Sequence, residues 1–164
     1  MTPMTDVPPI RDWRSLQNES EPGSVLVAST GAAPFEQRLL DGRHLLTADE
    51  PAKVGGGDAG PGPYELLLMA LGACTSMTVK MYARRKGWPL EGTEVRLRHY
   101  RVYNQDCADC EDKNALIERV DRSLRLIGPL SSEQRHRLLE IADKCPVHRT
   151  LTTGVEIRTA LDPV

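Results

Sequence analysis

The chain changes character at Pro63. Asp49 to Pro63 is dense in glycine and proline, and the stretch that follows, Leu66 to Val79, holds no charged residue. Breakers at that density join two different kinds of structure. An apolar run without a polar stripe forms a helix buried on every side. The pattern therefore predicts a helix from about Tyr64 to Arg85, stopped by Gly87. Arg84, Arg85 and Lys86 lie where they complement the negative end of its dipole and need no nucleic-acid partner.

Around this helix the periodicity is strand-like. Val25, Val27 to Thr30, Phe35 to Leu40 and His44 to Ala48 read as a small meander, with Asp41-Gly42 as a hairpin turn. After the helix, Glu94 to Val102 alternates Val95, Leu97 and His99 with Arg96, Arg98 and Tyr100, which suits a strand with one wet face. Another strand is expected around Arg119 to Ile127. Ser131 and Gln134 have the spacing of a capping box. The helix they open carries Leu138, Ile141, Ala142 and Cys145 on one face and is expected to end at Pro146. A final strand is expected over Gly154 to Thr159. Strands, a buried helix, strands, a helix and a strand make an α+β order.

At 164 residues with 40% hydrophobic content, the chain fits one domain with one core. Residues 1–22, rich in Pro, Asp, Glu and Ser, are expected to form a flexible arm, and residues 23–164 the single domain. A net charge of −2 with interspersed signs gives no footprint for nucleic acid or an anionic membrane. The start lacks a secretory signal, and no apolar run is expected to reach the roughly 18 residues of a spanning helix. The expectation is a soluble cytoplasmic protein whose partner is a small molecule or another protein. In a reducing compartment, the four cysteines point to redox chemistry or metal binding.

Cys74 lies in Leu71-Gly-Ala-Cys-Thr-Ser76, where small residues leave room for a backbone or a substrate to approach. An apolar setting alone would make the thiol inert, so a nucleophilic Cys74 needs a cation or donor beside it; otherwise it is a small core residue. Cys145 precedes Pro146-Val-His148-Arg149. Read at a helix C-terminus, its thiolate would be disfavoured by the dipole, and His148 or Arg149 would have to offset that.

The run Gly60-Pro-Gly-Pro-Tyr-Glu-Leu-Leu-Leu-Met-Ala-Leu-Gly-Ala-Cys74-Thr-Ser-Met-Thr, with Ala142-Asp-Lys-Cys145-Pro-Val-His-Arg-Thr-Leu about seventy residues on, resembles the OsmC/Ohr family of organic hydroperoxide reductases. The resemblance runs from about Ser24 to the C-terminus. It implies an OsmC-like fold in which two antiparallel sheets wrap central helices in an intertwined homodimer. It also implies a peroxidase in which Cys74 as a thiolate attacks the peroxide and becomes a sulfenic acid, and Cys145 resolves it as a disulfide. There is no bound cofactor or metal in this scheme; an external dithiol, lipoyl-type in characterised relatives, resets the pair. Studied relatives hold an activating arginine from the early hairpin with a glutamate ten residues before the first cysteine. Tyr64 occupies that glutamate position here, and Glu65, nine residues before Cys74, lies on the opposite side of a regular helix. Arg38 and Arg43 both remain open for the arginine, and His44 and His148 as further donors.

Cys107 and Cys110 have no part in this scheme. Their spacing suits a redox disulfide or half of a zinc site, and with Cys145 and His148 they make a Cys₃His set. The alternative is thus a non-enzymatic dimeric stress or binding module with structural or zinc-binding cysteines. Asp49, Glu50 and Asp58 are expected to be solvated loop charges, and Gly55 to Gly57 lack the rest of a phosphate-binding motif.

Overall fold

The computed structural model describes residues 23–103 and 116–161. The expected arm over residues 1–22, and Cys107 and Cys110, lie outside the described residues. The chain divides into two compact units, one ending at Leu66 and the other beginning at Leu67.

The N-terminal unit holds the meander. Strands β1 (Leu26–Ser29), β2 (Gln37–Leu40) and β3 (Leu45–Ala48) form an antiparallel sheet in the order β1-β2-β3. Val27 pairs with Leu39, and Leu39 with Leu46. Leu40 and Ala48 are its buried apolar residues. The loop after β3 contains a 3-10 turn at Ala52–Val54 and is organised by Asp49. That carboxylate is 2% exposed and accepts the N–H groups of Glu50, Gly57 and Ala59 at 2.8, 2.9 and 3.2 Å. Asp49 is therefore not the solvated charge expected: in a glycine-rich loop without a ladder, the backbone donors need an acceptor, and this side chain supplies it. A Cβ on Gly60 would stand 2.2 Å from the Thr47 carbonyl oxygen, so this position requires glycine.

Helix α1 (Pro63–Lys86) matches its expected span within a residue at each end. Pro63 opens it, where a missing N–H costs nothing. Leu71, Thr75, Val79 and Ala83, four apart, form its buried row. The expectation of burial on every side is corrected: Met69, Met77 and Met81 on the opposite face are 58, 63 and 72% exposed. An absent polar stripe shows only that no face prefers water. By length and composition α1 could cross a membrane, because its serines and threonines scarcely lower its hydropathy. Its buried row makes it a core helix.

The C-terminal unit carries β4 (Gly92–Tyr103) and β5 (Leu116–Ile127), a two-stranded antiparallel ladder in which Leu97 pairs with Arg122 and Val95 with Leu124. Helix α2 (Ser132–Ala142) starts at the expected capping box: Ser131 Oγ accepts from Gln134 N and the Gln134 side chain accepts from Ser131 N. Val79, Ala83, Leu130, Leu138 and Ala142 form the core, with Tyr82, Trp88, Leu90, Leu124 and Leu126 packed around it. The room beside Gly72 is filled by β4, since a Cβ there would meet Leu97 Cδ1 at 2.9 Å. Ser76 Oγ meets Thr93 Oγ1 at 2.5 Å.

Two expectations near the C-terminus are corrected. Pro146 does not merely follow a helix; it is the first residue of α3 (Pro146–Thr153), with Cys145 as N-cap. Proline serves both as a stop and as a start, and only the cap geometry separates the two. Residues 154–159 form no strand. Their apolar alternation, with Val155 and Ile157 exposed, finds no ladder partner among the described residues.

Candidate functional site

Cys74 and Cys145 meet in the C-terminal unit. Cys74 is on α1, partly accessible; Cys145, at the α2–α3 junction, is buried, and both thiols are free. The Cys74 thiol stands close enough to the Cys145 sulfur to favour its ionisation. Cys145 Sγ also accepts the His148 backbone N–H at 3.3 Å and lies 3.8 Å from Thr75 Oγ1. Cys145 is thus at the positive end of a helix, where a thiolate is favoured, and not at the negative end expected. Burial pushes the Cys145 thiol up, but the donors from His148, Cys74, Thr75 and Val147 outweigh it and bring it below the ordinary value.

Behind this pair is a residue that sequence reasoning passed over. Arg122 Nη1 donates to Thr75 Oγ1 at 2.9 Å and to the Ala142 carbonyl at 3.3 Å. Its Nη2 donates to Asp143 at 2.6 Å. The guanidinium is 12% exposed. Arg122 sits on the inner face of β5, in register with Leu97 and in alternation with Leu124 and Leu126. A cation in a row of apolar residues was the available signal, because a buried arginine needs specific partners.

A cavity of about 450 Å³ is lined among others by Leu71, Val120, Arg122, Leu139, His148 and Leu151, and shares Arg122 and His148 with the surroundings of Cys145. Glu118 also lines it; hydrogen bonding from Arg101 holds its carboxyl below the usual range. His148 thus gives its backbone N–H to the sulfur and also lines this cavity.

The other expected supports belong to the N-terminal unit. Arg38 hydrogen-bonds to Thr47 and pairs with Glu36 at 3.4 Å, all within the N-terminal sheet. Arg43, at the hairpin turn, donates its backbone N–H to Asp41. His44 contacts Asp41 at 2.8 Å; the His44 backbone N–H, its ring and the Arg43 N–H hold that carboxyl well below its usual range. Tyr64 is half exposed. Glu65, in the first turn of α1, folds its carboxylate toward Gly62. Arg38, Arg43, His44, Tyr64 and Glu65 all belong to the N-terminal unit.

Two free cysteines so arranged, one on a long apolar helix and one capping a short one, form a redox-capable pair. The model of the OsmC-like protein family matches residues 55–160, which include both motifs. The chain belongs to the OsmC-like family. Solved OsmC-like folds resemble it along most of their length. An organic hydroperoxide resistance protein OsmC from Legionella pneumophila is 18% identical, with a TM-score of 0.56 over 78% of this chain and 88% of that one. An OsmC like protein from Mycoplasma pneumoniae is 17% identical, with a TM-score of 0.57 over 79% and 86%. The organic hydroperoxide resistance protein OhrB of Bacillus subtilis is 18% identical, with a TM-score of 0.52 over 77% and 87%. No curated protein matches the chain. The OsmC-like fold agrees with the α+β class expected.

Proposed function

We propose that this OsmC-like chain is a cytoplasmic thiol peroxidase that reduces organic hydroperoxides, with Cys74 as attacking and Cys145 as resolving sulfur. The observation that carries the reading is the placement of two free thiols side by side, Cys74 partly open and Cys145 buried. Names of its structural neighbours support the same context, organic hydroperoxide resistance proteins being among them.

Accessibility divides the roles. Cys74 is partly open while Cys145 is sealed, so a peroxide meets the Cys74 sulfur first. That sulfur, as a thiolate, attacks the distal peroxide oxygen; the O–O bond breaks, and the alkoxide leaves, taking a proton from water to become the alcohol. Cys74 is now a sulfenic acid. The Cys145 thiolate attacks the sulfenic sulfur, the S–S bond forms, the S–O bond breaks, and the hydroxide takes a proton to leave as water. An external dithiol, by two exchanges, returns both cysteines to thiols and is itself oxidised to a disulfide. Leu71, Val120, Leu139 and Leu151 around the cavity suit a hydroperoxide with an apolar organic group.

The working unit in this reading is a homodimer. Met69, Met77 and Met81 form an exposed apolar face on α1, and a second copy of the chain would cover it.

Consumption of cumene hydroperoxide with a dithiol tests the reading. Cys74→Ser is expected to abolish turnover, and Cys145→Ser to stop it after a single oxidation that leaves a trappable sulfenic acid. Unchanged turnover in Cys74→Ser would overturn it.

A further inference from the structure

Thr75 has one hydroxyl proton and two acceptors within reach. Its Oγ1 donates to the Leu71 carbonyl at 2.8 Å and lies 3.8 Å from Cys145 Sγ. The same oxygen receives Arg122 Nη1 at 2.9 Å. That bond takes a lone pair on the oxygen, so the Thr75 proton must point outward, to Leu71 or to the sulfur. Leu71 O also accepts the helical N–H of Thr75, as every i to i−4 carbonyl does, and is not left unpaired when the hydroxyl turns away. A negative sulfur is a stronger acceptor than an amide carbonyl. The hydroxyl is therefore a switchable donor, aimed by Arg122.

We propose that Arg122, acting through Thr75, is a positioning residue that stabilises negative charge on the Cys145 sulfur. Its catalytic meaning rests on the peroxidase reading, since a charged Cys145 is the form that attacks and resolves the sulfenic acid on Cys74. The placement of charge itself does not depend on peroxide being the substrate.

The surroundings agree with a charge at this position. Facing the sulfur or its donors are Cys74 and Thr75 from α1, Arg122 from β5, Asp143 from the end of α2 and His148 from α3. Lys144 and Arg149 flank it and are exposed. The only acid among these, Asp143, is 62% exposed and bound to Arg122 Nη2. It therefore sets the direction of the guanidinium without standing against the sulfur. Thr75 is fully buried, so its hydroxyl is not replaced there by bulk water.

A variant carrying Cys74→Ser, Cys107→Ser and Cys110→Ser leaves Cys145 as its one thiol, and its thiolate absorbance near ~240 nm titrates that sulfur without any peroxide. In this background Thr75→Val, of nearly the same shape, is expected to raise the midpoint by roughly one pH unit, a tenfold loss of thiolate below it. Thr75→Ser keeps the hydroxyl and is expected to hold the original midpoint, which separates loss of the donor from loss of the fold. Arg122→Gln is expected to raise the midpoint too, but to add nothing once Thr75 is Val. An unmoved midpoint in folded Thr75→Val overturns the proposal. So do additive effects of the two substitutions, which would mean that Arg122 acts on the sulfur directly. Loss of peroxide turnover in the wild type, with these midpoints as expected, would count against the peroxidase reading alone.

Discussion

The backbone N–H of His148 donates to Cys145 Sγ at 3.3 Å, from the first turn of the helix that Cys145 caps. This bond places the buried thiol at the positive end of a helix dipole, and it belongs to the peptide backbone. Replacing the His148 ring leaves it in place. His148→Ala is therefore expected to leave the Cys145 midpoint within a few tenths of a pH unit while altering the cavity that the ring lines, so that KM for a bulky hydroperoxide changes more than kcat. A rise in the midpoint as large as that expected for Thr75→Val would show that the ring itself holds the charge.

The lowered acidity constant of Cys145 links pH to stability. In the folded chain the thiol ionises below its ordinary value of 9.0, so the fold favours the ionised form. The stability this contributes is fully present above the unfolded value and is lost as pH falls through the lowered folded value. Under reducing conditions, the urea midpoint of the wild type relative to Cys145→Ser should thus fall as pH is taken from about 9.5 to about 6. A difference that widens on acidification would contradict the geometry described for the sulfur.

Asp49 closes the loop that leads into α1. Asp49→Ala leaves the N–H groups of Glu50, Gly57 and Ala59 without this acceptor, and a loss of about 3 kcal/mol in unfolding free energy is expected. Hydrogen exchange gives a local reading of the same event: the Gly57 and Ala59 amides should lose protection ahead of those in α2.

Leu138 is fully buried in the core with Val79, Ala83, Leu130 and Ala142. Leu138→Ala should cost about 3 kcal/mol in urea denaturation, the lost transfer energy plus the cavity left behind. Because α2 leads into the Cys145 junction, cysteine alkylation is expected to quicken at Cys145 in this variant, as local opening becomes easier.

The exposed face of α1 bears on assembly. Met77→Glu places a charge in the apolar patch of Met69, Met77 and Met81 and should convert a dimer into a monomer by light scattering, with the helical circular dichroism retained. A wild type that is monomeric at the same concentration would remove the homodimer from the proposed function.

Much of the local structure was legible in the chain itself. The span of α1, the capping box at Ser131, the three-stranded meander and the two longer strands followed from breakers, caps and periodicity, which act over a few residues and leave a visible pattern. Cys74 and Cys145 were found through their motifs. What a pattern cannot carry is the identity of a partner from elsewhere in the chain. Residues 154–159 have a strand's alternation, yet a strand exists only where another backbone takes up its hydrogen bonds. Pro146 reads equally as the end of one helix and the start of another, and its cap geometry decided that Cys145 faces a helix N-terminus. Arg122 is an ordinary arginine in an alternating strand until β5 lays its guanidinium beside Thr75, 47 residues away in sequence. The sequence by itself thus determined most of the helices and strands and marked two thiols by their motifs. The tertiary structure alone decided which donors surround the sulfur, because the charge on a buried atom depends on the groups brought within a few ångströms of it, whatever their separation along the chain.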